Sequence, residues 1–137
     1  MARVFQGKVM IPGDKLEEYF KFLKEAEKAR EPFVNYLESL NGEFAEHLIT
    51  KGMSKRTAGK HASTIDLFID FLARYTDVEK IEDITRGIAN THFKKWYRRK
   101  VWGSYNPDDL RTALRKFFAF LKEEKNINNR LVLKSLR

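Results

Sequence analysis

The sequence predicts an all-α fold, a small bundle of about four to six helices, and three observations support it. Apolar residues recur at the three- and four-residue spacing of helices along most of the chain. Two segments open with helix-capping residues, one at Ser54 and one at Asn106-Pro107. Nowhere is an alternating pattern strong enough to predict a sheet. The 137 residues, 42% of them hydrophobic, are the size of one domain and suffice for a helical core.

The N-terminal part predicts an extended arm followed by a helix. Val4 to Ile11 is a short, partly apolar stretch, typical of a weak strand or an extended arm, and Pro12-Gly13 ends it. Asp14 and Glu17 have the spacing of a capping box, in which two side chains bond free N–H groups of the first turn. The apolar spacing behind them predicts a helix that reaches Arg30.

Pro32 predicts a break or a kink, because proline removes a backbone donor and collides with the preceding turn. A second helical segment then runs to Leu48, with Asn41-Gly42 as another candidate interruption. Its apolar positions are Phe33, Tyr36, Leu37, Leu40, Phe44 and Leu48.

The segment from Lys55 to Tyr75 predicts a long amphipathic helix with two apolar faces. The main face consists of Ala58, Ala62, Ile65, Phe68, Ile69 and Leu72. Leu67 and Phe71 fall on the other side of the helix. Two apolar faces require two neighbouring helices to cover them. We expect the segment from Leu16 to Leu23 to cover the second face.

The remaining elements follow from local signals. Asp77 to Ile84 is typical of a connector, and Thr85 can cap a helix that runs to about Trp102. The helix capped by Asn106 is expected to reach Leu121, and residues 126–137 predict a polar turn and a short apolar tail.

The composition favours an acidic partner. There are 27 Lys and Arg against 19 Asp and Glu, which gives a net charge of +8 and a pI of about 9.7. Such a balance favours nucleic acid or acidic surfaces. The absence of cysteine excludes disulfides, thiolate metal sites and a thiol nucleophile, and it fits an intracellular protein. Without a signal peptide or about 18 uninterrupted apolar residues, a cytoplasmic location is expected.

The basic residues form stripes on three predicted helices. On a helical wheel these stripes are Arg56 and Lys60 beside Ser63; Lys94, Lys95, Arg98 and Arg99 opposite Phe93, Trp96 and Tyr97; and Arg111 and Arg115 followed by Lys122. Such stripes suit a surface that follows DNA phosphates, because neutralised phosphates supply much of the affinity for duplex DNA. The alternative interpretation is that they are ordinary solvated faces.

The two capped helix openings differ in charge. Asp108 and Asp109 suit a helix N-terminus, which carries a partial positive charge, whereas Lys55 and Arg56 oppose it. An external phosphate is a candidate compensation, since free N–H groups and two cations would converge on it.

The order of these segments resembles a known family. The residues that carry the resemblance are Phe44 and Leu48, Lys51-Gly52-Met53-Ser54 with Thr57, Phe68 to Leu72, Ile81, Ile84-Thr85, Phe93, Ser104, and Leu110 to Leu121. In their order and spacing, over roughly residues 31–130, these segments are similar to the N-terminal core-binding domain of tyrosine recombinases and phage integrases.

The resemblance implies an orthogonal helical bundle of the SAM-like core-binding type that clamps one side of double-stranded DNA. It divides the chain into an N-terminal arm and extra helix over 1–30, a core-binding-like domain over 31–126, and a C-terminal tail or start of an inter-domain linker over 127–137. In the family a separate domain performs strand transfer through a tyrosine, so no catalytic residue is carried over to this chain. Possible partners are then a recombinase catalytic domain or another recombinase subunit.

The family places most DNA contacts on the helix after the Gly-x-Ser turn and on the helix after the second serine. The contacts implied here are Lys55, Arg56, Thr57, Lys60, Ser104, Arg111 and Arg115. Four further DNA contacts are expected from the arrangement of charge on the helix alone, without the family resemblance: Lys94, Arg98, Arg99 and Lys100. The chain differs from the family pattern in two ways that oppose DNA binding. Asp108 and Asp109 would repel a phosphate at the start of the last helix. The segment before Glu31 is longer than the family's minimal domain needs.

Other functional classes are less well supported by the sequence. No catalytic constellation or phosphate loop occurs, and the scattered His47, His61 and His92 do not predict a metal site, so we expect no cofactor and no small-molecule substrate. Two alternatives stay open. One is a protein-interaction module or recombinase remnant that docks through Leu131 to Leu136, and the other is an RNA binder that uses Trp96 to Trp102.

Overall fold

The computed structural model describes residues 13–100 and 106–136, and within these ranges the chain is an all-α bundle without a strand. Its helices are α1 (Leu16–Thr50), α2 (Lys55–Tyr75), α3 (Phe93–Lys100), α4 (Pro107–Lys125) and α5 (Arg130–Ser135). The all-α prediction is confirmed. The candidate strand at residues 4–11 and the residues Trp102, Ser104 and Tyr105 lie outside the described ranges. No helix within those ranges combines the length and apolar character needed to cross a membrane.

α1 is one helix of 35 residues, so the predicted break at Pro32 is wrong. Pro32 lies on the exposed side of α1, where water can bond the carbonyl group that proline leaves unpaired. Asn41-Gly42 does not interrupt the helix either. Asn41 is buried, and its Nδ2 donates to the Ala62 carbonyl at 2.9 Å and to Asp66 Oδ1 at 2.8 Å, both on α2. An inter-helix contact has therefore overridden a local turn signal.

The start of α1 also differs from the prediction. The residue before the helix is Lys15, and no side chain caps the first turn, so the capping box of Asp14 and Glu17 does not form. Leu16 and Phe20 are 43% and 53% exposed and do not cover a second face of α2.

α3 supplies the second neighbour of α2 instead. The ring of Phe71 lies 5.7 Å from that of Phe93 and 5.6 Å from that of Trp96. A π-helical turn, Gly87–His92, leads into α3, and the predicted cap is present because Thr85 Oγ1 accepts from the Ile88 N–H at 3.1 Å. Aromatic contacts between helices thus hold α2 against α3.

The core lies between α1, α2, α3 and α4. Phe44 meets Phe117 edge-on at 5.3 Å, and Phe68 meets Phe93 at 4.9 Å. The largest fully buried side chains are Phe44, Phe68, Phe71, Phe93, Phe117, Phe118, Leu37, Ile65, Leu72, Leu114, Leu121 and Leu136.

The C-terminal segment packs on the bundle. Asn129 Nδ2 donates to the Ile81 and Ile84 carbonyls, each at 2.9 Å, and its Oδ1 caps α5 by accepting from the Val132 N–H. Val132 and Leu136 are buried. These two side chains are therefore not free to dock on another protein.

Candidate nucleic-acid interface

The opening of α2 presents two exposed cations. Gly52 adopts a positive φ of 102°, which lets the chain leave α1 and turn into α2. Ser54 Oγ accepts from the Thr57 N–H at 3.2 Å, as its capping role predicts, and donates to Thr57 Oγ1 at 3.0 Å. Lys55 and Arg56 follow this cap. Both are exposed, and within the described part of the chain neither forms an ion pair.

The opening of α4 lies beside α2. Asn106 Oδ1 accepts from the Asp108 N–H at 2.9 Å, so the predicted cap is present here too. Asp109, in the first turn, lies with its Oδ2 3.9 Å from Lys60 Nζ on α2. Their side chains are 55% and 73% exposed, so this ion pair is weak, but it places the two openings on one side of the molecule.

Charges from three helices influence one another around Asp109. Burial, together with the nearby Lys116 and Lys60, holds the pKa of His61 below its ordinary value, while Asp109 opposes this change. The pKa of Tyr97 on α3 is raised by burial and by Asp109. The openings of α2 and α4 and the body of α3 therefore share one electrostatic environment.

Of the basic residues of α3, one lies in a crevice and others are exposed to solvent. Half-buried Lys94 lines a narrow crevice between α3 and α4 together with Arg111, whose Nε is buried without a hydrogen-bond partner among the described residues. Arg98 and Arg99 are exposed, and Lys100 Nζ lies 6.0 Å from the centre of the Trp96 ring. The predicted contact residues on α3 and α4 are thus adjacent at Lys94 and Arg111.

A basic cleft between α4 and α5 was not predicted from the sequence, although Arg115 and Lys122 belong to a predicted stripe. Arg115 lines a cleft of about 490 Å³ between α4 and α5, where three further cations and Glu123 also lie. The three additional cations are Lys122, Arg130 and Lys134. Arg130 and Lys134 are one turn apart on α5, and the sequence signal that could have revealed them is the capping residue Asn129 just before.

Two more cations lie on the other side of α4, Lys116 on that helix and Lys51 in the turn between α1 and α2. A cleft of about 480 Å³ between α4 and the α1–α2 turn is lined by Lys51, Lys116 and the half-buried His47. His47 Nδ1 lies 3.8 Å from Glu124. In the part of the chain that the structure covers, no three His, Asp or Glu side chains are placed to hold a metal ion.

The profile of the phage integrase N-terminal SAM-like domain matches residues 42–125. The chain belongs to this family. Comparison with curated proteins and with solved structures finds no significant match. As an integrase N-terminal SAM-like domain, the chain is a recombinase-related module of DNA integration and recombination, and the match does not extend to the catalytic domain of integrases.

Proposed function

We propose that the chain clamps duplex DNA mainly through phosphate contacts and performs no catalysis itself. The observation that carries this proposal is the contact between Lys60 and Asp109, since it puts the openings of α2 and α4 on one side. The proposed contacts, which we call the basic face, are Lys55, Arg56, Thr57, Lys60, Lys94, Arg98, Arg99, Lys100, Arg111 and Arg115, with Ser104 added from the family resemblance.

The geometry supports backbone contacts more than base reading. Thr112 and Ala119 lie along the accessible side of α4, flanked by Arg115 and Lys116, so a phosphate backbone can approach this helix closely. Arginine and lysine beside small residues suit phosphate oxygens, which carry no sequence information directly. The catalytic domain of a recombinase is the partner that would supply strand transfer.

The test is the salt dependence of binding to a labelled duplex. With roughly four to six phosphate contacts, the slope of log K against log salt should lie near −4 to −5, with micromolar or weaker dissociation constants at physiological salt. A flat response, or no binding at about 50 mM salt, would contradict the proposal and favour a protein-interaction module. Preference for single-stranded RNA would favour the RNA alternative.

Incubation with supercoiled plasmid tests the absence of catalysis. We expect no strand cleavage. Strand cleavage that survives repurification and disappears with any one Tyr→Phe change would contradict the proposal that the chain performs no catalysis.

A further inference from the structure

The first turns of α1 extend past the end of α2. The two helices run antiparallel, since Asn41 contacts Ala62 and Arg30 Nη2 donates to the Leu72 carbonyl at 3.1 Å. α2 ends three residues later, at Tyr75, so the earlier turns of α1 lie beyond it. With a rise of about 1.5 Å per residue, this projection is roughly 15 Å long or more.

A regular apolar stripe runs along one side of α1, from this projection to the turns that lie beside α2. Its members recur at alternating three- and four-residue spacing, and we call them the seam: Tyr19, Phe22, Ala26, Ala29, Phe33 and Tyr36. Phe22 is 63% and Tyr36 47% exposed, both alanines are exposed, and Tyr19 and Phe33 are half-buried. No seam position carries a charge. An exposed apolar stripe of this regularity is typical of a helix that pairs with another helix.

The order of side chains in the seam reads the same in both directions. Two aromatic residues lie at each end, and Ala26 and Ala29 lie in the middle. A second copy running antiparallel would place Tyr19 against its Tyr36, and Ala26 against its Ala29. The small central side chains let two helix axes approach closely.

A parallel arrangement meets an obstacle in the bundle. The seam side of α1 continues to Phe44 and His47, where α4 already covers it through Phe120, whose ring lies 5.7 Å and 5.1 Å from theirs. A parallel second helix in register would run into α4. In an antiparallel pair the second α1 would begin, at its own Leu16, beside about residue 39, before Phe44 and His47.

We propose that two copies of this chain associate through an antiparallel pairing of their α1 seams. The interface has two-fold symmetry and is small, so the dimer forms at micromolar concentrations. It does not depend on DNA, and failure of DNA binding would leave it intact.

Sedimentation of the full chain without DNA, over about 1–200 μM, tests the pairing. We expect a concentration-dependent shift from monomer to dimer. Ala29→Glu places a charge in the seam at an exposed helical site, and it should weaken the dimer at least tenfold while the circular dichroism stays that of the parent. Lys24→Glu, on the opposite side of α1, is the control and should leave the dimer unchanged. The proposal is overturned if the chain stays monomeric over the whole concentration range, or if Ala29→Glu leaves the dissociation constant of the dimer unchanged.

Cysteine crosslinking tests the orientation, because the chain has no cysteine of its own. Tyr19→Cys and Tyr36→Cys variants, oxidised separately, should remain uncrosslinked, since an antiparallel pair holds equal positions roughly 25 Å apart. Mixed before oxidation, they should form a disulfide-linked heterodimer. Crosslinking of either variant with itself would overturn the antiparallel arrangement.

Discussion

Lys60 Nζ and Asp109 Oδ2 lie 3.9 Å apart, and this contact joins the helix that opens with cations to the helix that opens with acids. The aspartate is favourable at a helix N-terminus, yet it neutralises a lysine on the face that we propose for DNA. Stability and DNA affinity are therefore expected to respond to Asp109 in opposite directions.

Asp109→Asn should tighten DNA binding and slightly destabilise the fold. It removes a carboxylate from the basic face and releases Lys60, which should strengthen binding by about 0.5–1 kcal/mol, while unfolding becomes easier by a similar amount. Fluorescence anisotropy and urea denaturation measure the two effects. Asp108→Asn removes the same charge without freeing Lys60, so a larger gain from Asp108→Asn would contradict this role of the ion pair.

Replacing Lys55 and Arg56 by Glu should weaken DNA binding by about 1 kcal/mol or more per site and flatten the salt slope. Stability should hold or rise slightly, because acids suit the first turn of α2. The control is Lys24→Glu with Lys80→Glu, an equal charge change at two exposed sites away from the opening of α2. If the double variant binds like the parent and only melts higher, these cations are an unused surface feature.

The cleft between α4 and α5 should add to the DNA affinity. Arg130→Ala with Lys134→Ala removes two exposed cations, and the magnitude of the salt slope should fall by about one to two if each meets a phosphate. Lys24→Ala with Lys28→Ala, on α1, is the charge-matched control for the loss of net charge. Equal effects of both pairs would mean that only overall charge matters.

Asn129→Ala should destabilise the fold by about 2–4 kcal/mol. It leaves the carbonyl groups of Ile81 and Ile84 without their donor and removes the cap of α5. Urea denaturation followed by circular dichroism measures the loss. The exposed neighbour Asn128, changed to Ala, should stay within about 0.5 kcal/mol of the parent. Equal stability of the two variants would show that the α5 attachment is not held by this side chain.

His61 should give the basic face a pH response. Its folded-state pKa is lowered by burial and then by Lys116 and Lys60, so the stability it contributes is present above about pH 6.5 and is lost as the pH falls through its folded pKa. His61→Gln should remove this part of the acid sensitivity. NMR titration should give His61 a pKa below 6.5 in the free chain and a higher one with DNA, since a phosphate favours the charged ring. An unchanged value with DNA would place the phosphates elsewhere.

Local signals in the sequence predicted three helix starts correctly, because a cap depends on residues within one turn, whereas the capping box predicted at the start of α1 does not form. Ser54, Thr85 and Asn106 all accept from the N–H groups expected of caps. The interior of α1 was mispredicted, since the turn signal of Asn41-Gly42 is outweighed by bonds to α2 that local sequence cannot reveal.

At the candidate site, too, local features could be predicted from the sequence and contacts between helices could not. The stripes on α2, α3 and α4 follow from helical spacing, whereas the adjacency of Lys60 and Asp109 depends on how two helices pack. The cleft that contains Arg130 was missed because Asn129 fixes α5 through carbonyl groups 45 and 48 residues away in the chain. Such contacts leave no periodic pattern in the sequence.

The helical Asn41-Gly42 pair has a consequence for the chemical lifetime of the protein. Asparagine before glycine is the sequence most open to deamidation, because the glycine N–H can close on the side-chain amide in a flexible backbone. In α1 that N–H belongs to a helix, and the amide of Asn41 is held by Ala62 and Asp66. Each unfolding event would release both restraints, and the resulting carboxylate would face Asp66 on refolding. The fraction of molecules that carry a carboxylate at residue 41 would therefore grow with the time that the protein spends unfolded.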